Sequence, residues 1–153
     1  MNLAELKEEI AIEIQILENT VHELTILNAD VSGKEPTVRE KTAAAAFLAQ
    51  FYGGIENVLK RISKYHNVLL PTGDTWHVEL FKQFCAQSKG VLPILFDSAL
   101  ERSLVPFRKF RHVVFHGYGF QMDWDRMKIG VDEVEDIFNR FRKEIEAYLH
   151  RVV

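Results

Sequence analysis

Leu3, Leu6, Ile10, Ile14, Leu17, Val21 and Leu24 recur at spacings of three and four with polar residues between them. That is the period of a helix with one buried face. Ile12, Ile16 and Ile26 widen the apolar stripe, which predicts a helix wedged between two neighbours. The pattern lapses at Asn28, Asp30, Ser32 and Gly33, a turn-prone cluster, so the helix should end between Asp30 and Lys34. A second helix is then announced by Pro36 before Thr37 and by Glu40 three residues on, the residue types of a capping box. Its apolar face reads Ala44, Phe47, Leu48, Phe51, Ile55, Leu59 and Ile62. Gly53 and Gly54 interrupt that face, and each mid-helix glycine costs about 1 kcal/mol against alanine. Close approach of another backbone is the expected compensation.

Pro71, Thr72, Gly73 and Asp74 punctuate the chain before a shorter helix expected over about residues 75–88. A loop follows through Gly90 and Pro93. Ser98 with Glu101 resembles a second capping box, and Leu100, Leu104, Phe107 and Val114 mark a fourth helix. Pro106 falls inside that pattern and should bend or interrupt it, and Gly117 and Gly119 should end it. From about Asp125 onward Val131, Val134, Ile137, Phe138, Phe141, Ile145 and Leu149 form the inward face of a last helix. No alternating strand pattern, internal repeat or linker interrupts this series. The expectation is an all-α protein, an antiparallel up-down helical bundle of about five helices forming a single domain over residues 1–153.

Composition narrows the chemistry. At 153 residues the chain can bury one real core without staples, and 47% apolar with 27% charged residues is ordinary for a globular protein. With a single cysteine, Cys85, an intrachain disulfide framework and a cysteine-rich zinc site are excluded. Cys85 follows Phe81-Lys82-Gln83-Phe84, so it reads as a buried structural thiol. The first residues carry Glu5, Glu8 and Glu9 and no apolar signal core. The longest unbroken apolar run, Ala43 to Ala49, falls far short of a bilayer. A reducing, cytoplasmic setting is therefore expected, with no membrane contact. The formal net charge of −3 gives no general support for nucleic-acid binding, so any such binding needs a local basic patch.

The candidate patch is on the fourth helix. On a helical wheel Leu100, Leu104, Phe107, Val114 and Phe115 share one arc, and Arg111 falls inside it, about 20° from Leu100. An arginine in an apolar stripe is costly unless it meets an anion or an opening to water. A buried Arg–Glu pair or a snorkelling side chain would satisfy it, and so would a bound phosphate. His116, at the expected helix end, points about 140° away from Arg111 on a straight helix. The two converge only if the chain turns there or if two chains combine their residues. His112 and His116 share a face, but without a third ligand they make a weak metal site. Arg102, Arg108 and Lys109 complete the one dense basic cluster. Arginine with histidine suits phosphodiester chemistry: the imidazole moves a proton near neutrality and the guanidinium fork holds the phosphate.

The string Arg111-x4-His116-x-Tyr118, with polar His112 after the arginine, resembles the signature of the HepT-like ribonucleases, toxin members of the HEPN superfamily of small helical bundles. Phe107-Arg108-Lys109-Phe110 before the motif and Gly119-Phe120 after it are similar to that family too. So is the order of long helices around it. The resemblance implies a metal-independent endoribonuclease of a type VII toxin–antitoxin system, using no cofactor and acting on RNA as a homodimer whose two chains line one cleft. It implies Arg111 as the phosphate-binding catalytic residue and His116 as the catalytic histidine. His112, Arg108 and Lys109 become auxiliary substrate contacts. Tyr118 is then the tyrosine that a partner nucleotidyltransferase antitoxin modifies with AMP, blocking RNA by bulk and charge. The competing readings are a non-catalytic HEPN protein that binds a nucleotide or docks a nucleotidyltransferase, and a purely structural bundle in which Arg111 sits in a buried ion pair. Glu56, beside the packing stripe of the second helix, could pair with Arg111 or polarise a histidine, but an exposed position is the expectation for it. His22, His66, His77 and His150 show no partners in the sequence.

Overall fold

A computed structural model describes residues 1–116 and 123–153 of the chain. Among the described residues five helices follow in order: α1 (Leu3–Asp30), α2 (Val38–Tyr65), α3 (Trp76–Lys82), α4 (Ser98–Phe115) and α5 (Trp124–Arg151). Among the described residues there is no strand beyond an isolated parallel bridge between Cys85 and Phe96. The fold is the expected all-helical bundle. Its long helices alternate in direction. Along α1 and α2 the contacts run in opposite order, Glu9 and Glu13 to Arg61 and Leu17 against Gly54. Along α4 and α5 they do the same, Ser103 to Arg140 and Phe107 against Gly130.

The helix ends follow local chemistry. Asn2 caps α1 and exchanges bonds of 2.9 Å with Glu5, a capping box the apolar pattern did not reveal. The expected box at Thr37 and Glu40 is present at the start of α2. At α4 the cap is Asp97, whose carboxylate accepts from the Leu100 amide at 2.8 Å, and not a Ser98–Glu101 box. Aspartate one residue upstream satisfies the same free amides. Pro106 does not interrupt α4, which runs through it to Phe115. The third helix is shorter than expected because residues after Lys82 turn back, with the Leu95 and Phe96 amides both donating to the Phe84 carbonyl. That turn carries Phe81, Phe84, Cys85 and Phe96 into the core.

The core lies between α2 and the helices around it, and α2 touches every other helix. Most of the apolar positions read from the periodicity are buried, from Leu6 on α1 to Ile145 on α5. Two expectations fail. Ile12, Ile16 and Ile26 are exposed, because α1 meets α2 and α5 along one narrow stripe. Phe115, placed in the buried arc of α4, is 67% exposed, since the core no longer flanks the last turn of that helix. Cys85 is buried as expected, and burial pushes its thiol up to about 12. It is a thiol, not a thiolate, at neutral pH. No described helix is long and apolar enough to cross a membrane.

Candidate functional site

A cleft of about 540 Å³ opens where the C-terminal half of α4 passes α2 and the start of α3. Arg108, Lys109, Arg111 and His112 of α4 and His116 just after it all line it. The five candidate residues therefore share one opening, despite the angle that a straight helix puts between Arg111 and His116. His116 lies just past the last helical turn, with φ −93° and ψ 12°, and its amide still donates to the His112 carbonyl. Its ring stands 4.1 Å from that of His112, centroid to centroid, and both are exposed. Lys109 is exposed and Arg108 half-buried. Tyr118, the expected modification site, lies with Gly117 and Gly119 outside the described residues.

Arg111 is the inward member of the group. Its Nη1 stands 3.4 Å from Oε1 of Glu56, and its Cζ lies 4.6 Å from the centre of the Phe115 ring. Nε is buried without a hydrogen-bond partner. Gly53 faces this side chain: a Cβ there would stand 3.4 Å from that Nε, at the edge of ordinary contact. The neighbouring Gly54 serves a different contact: its missing Cβ would fall 2.6 Å from Cδ2 of Leu17. The paired glycines thus face two side chains, and only Gly54 must lack a Cβ, where the sequence suggested a second backbone.

Glu56 is buried, with 2% of its side chain exposed, against the expectation of an exposed residue. It joins two cations or potential cations. Oε1 faces Arg111, and Oε2 lies 2.5 Å from Nδ1 of His77. His77 was expected to have no partner; it comes from the first turn of α3 and reaches the same cleft. Its ring lies tilted against the indole of Trp76 at 3.5 Å between centroids, and Nζ of Lys60 covers that indole at 4.5 Å. Beneath them the Tyr52 hydroxyl is buried without a partner. Burial, reinforced by the Glu56 carboxylate, raises its pKa far above that of a free phenol, so it keeps its proton.

Glu56 left a trace in the sequence: it sits four residues after Tyr52 and three before Leu59, on the edge of the buried stripe of α2. His77 left none, since only the path of the loop between α2 and α3 brings it to Glu56. The Arg–Glu pair that a structural role for Arg111 requires is present, but it borders an open cleft instead of a closed core. Among the described residues no three His, Cys, Asp or Glu side chains gather as a metal site.

The comparison with family models finds one described as HepT-like protein, matching residues 43–152, from α2 to the end of α5. No curated protein matches the chain, and neither does any solved structure. The matched span covers most of the chain and contains the whole cleft. Together with the five-helix bundle it settles kinship: the chain belongs to the HepT-like protein family, a HEPN-type toxin family.

Proposed function

We propose that the protein is a metal-independent endoribonuclease toxin of a type VII toxin–antitoxin system, acting in the cytoplasm. The observation that carries this reading is the convergence of Arg111 and His116, with Arg108, Lys109 and His112, on one open cleft. Its volume is within the range of sites that hold a nucleotide-sized ligand. RNA supplies its own nucleophile. His116 takes the proton of a 2′-hydroxyl, the 2′-oxygen attacks the adjacent phosphorus, and the bond from phosphorus to the 5′-oxygen breaks. The products are a 2′,3′-cyclic phosphate and a 5′-hydroxyl, once the leaving oxygen gains a proton. Arg111 holds the phosphate and offsets the charge that grows on its oxygens. A homodimer would double the basic cluster, which an acidic chain needs to hold RNA. AMP placed on Tyr118 by a nucleotidyltransferase antitoxin would add charge and bulk two residues along the chain from His116.

The test is cleavage of RNA by the purified protein in excess chelator, after intact-mass measurement has excluded a tyrosine adduct. Wild type should cut, and His116→Ala should lose about 10²–10⁴-fold in rate. Equal inactivity of both proteins would end the nuclease reading.

One observation favours a second reading, a non-catalytic nucleotide-binding or docking partner of a nucleotidyltransferase. Glu56 already engages Arg111 at 3.4 Å and so spends part of its charge. Nucleotide retention or nucleotidyltransferase binding that survives His116→Ala, without cleavage by either protein, would select it.

A further inference from the structure

The transesterification needs two proton movements, one from the attacking 2′-hydroxyl and one to the leaving 5′-oxygen. Arg111 can perform neither, because a guanidinium does not release its proton near neutrality. Among the other groups at the cleft, His77 is distinguished by its support. Its Nδ1 lies 2.5 Å from Oε2 of buried Glu56, which directs the Nδ1 proton at the carboxylate. That fixes the tautomer and leaves Nε2 as the exchanging nitrogen, the arrangement by which a carboxylate orients an imidazole. Among the described residues Nε2 of His77 has no hydrogen-bond partner. The side chain is 30% exposed and lines the cleft beside His112 and His116. The Trp76 indole lies against the ring, tilted by 31° at 3.5 Å between centroids.

Arg111 completes the geometry. Its Nη1 stands 3.4 Å from Nδ1 of His77, and both side chains line the cleft that would receive the phosphate. With the Nδ1 proton given to Glu56, the approach is packing of two donors around one carboxylate. Glu56 holds both groups in register through its two oxygens.

We infer that His77 is a second catalytic residue of this cleft, the general acid for the leaving 5′-oxygen, with Glu56 as its positioning residue. The inference rests on the ribonuclease reading above. In the step, His116 accepts the 2′-hydroxyl proton as the new oxygen–phosphorus bond forms. As the bond to the 5′-oxygen breaks, that oxygen takes the proton from Nε2 of His77. Protons and electron pairs balance with no co-reactant, and the two histidines end with exchanged protonation states.

The experiment compares two substrates, an oligoribonucleotide and uridine 3′-(4-nitrophenyl phosphate), whose leaving group needs no proton. His77→Ala and His77→Gln are measured with wild type and His116→Ala, and thermal unfolding confirms that each variant is folded. The glutamine keeps an amide donor for Glu56, so it reads the chemistry even where the alanine variant does not fold. On the oligoribonucleotide both His77 variants should lose about 10²–10⁴-fold in kcat/KM. On the nitrophenyl ester they should stay within roughly tenfold of wild type, since no acid is required there. His116→Ala should lose on both substrates, because each begins with the same deprotonation. Equal losses of the folded His77 variants on both substrates would overturn the inference and make His77 a packing residue. Unchanged cleavage of both would overturn it as well, leaving the ribonuclease reading intact. A wild type inactive on both substrates would remove the ribonuclease reading and this inference together.

Discussion

His66 closes the C-terminal end of α2, and its Nε2 stands 2.8 Å from the Tyr148 hydroxyl of α5. The phenol keeps its proton, because burial pushes Tyr148 up to about 12, so neutral His66 is the acceptor. Burial also lowers the pKa of His66 below the usual histidine value. As pH falls, the unfolded chain therefore takes up this proton first, near pH ~6.5, while the folded chain resists. Stability must drop through that window, since the unfolded state then binds more protons. Between about pH 7.5 and about pH 5, wild type should lose more in Tm than His66→Gln, whose other histidines still titrate. Parallel losses in thermal melts would remove His66 from the account. The same scale shows why the candidate site was only half legible. Arg111 and His116 stand out because charge and imidazole break an apolar arc. Glu56 shows in the sequence only as an edge position of the α2 stripe, and His77 acquires its meaning from Glu56, across two helices.

At the level of single elements, α2 does the most to shape the site. Its paired glycines sit side by side in sequence yet face different helices, Gly54 toward Leu17 of α1 and Gly53 toward Arg111 of α4. Leu17 is 1% exposed and has nowhere to move. Gly54→Ala should therefore destabilise by about 1–3 kcal/mol through overpacking. Gly53→Ala meets Arg111 at 3.4 Å, the edge of ordinary contact, and should gain up to about 1 kcal/mol from helix propensity. Urea unfolding of both variants checks this, and a similar loss in each would contradict the separate roles. The α4 start teaches a related lesson. Ser98 and Glu101 have the residue types of a capping box, but Asp97 lies one position earlier and captures the free amides. At α4 the local pattern marks where the helix begins without naming the residue that caps it.

For the whole molecule, α1 is the informative part, because it lies outside the span matched by the family model. It is nevertheless built into the core through Leu6, Ile10, Leu17, Val21 and Leu24. Glu9 and Glu13 also bind Arg61 of α2 at 2.7 and 2.9 Å. Burying each such apolar side chain stabilises by about 1.5–3 kcal/mol. Together they rival the entire stability of a domain, about 5–15 kcal/mol. A chain lacking residues 1–30 should show no cooperative thermal transition, and a transition near that of the full chain would refute the claim. What the sequence by itself determined was the helical class, the approximate span of four long helices, and the clustering of Arg108, Lys109, Arg111, His112 and His116 on one of them. These follow from the 3.6-residue period and from charges placed against it, both local properties of the chain. Only the tertiary structure decided which edges of each stripe are covered, leaving Phe115 and Ile12 in solvent while burying Glu56. It alone set His77 beside that carboxylate, because burial and ion pairing depend on how neighbouring helices cross and where a loop returns.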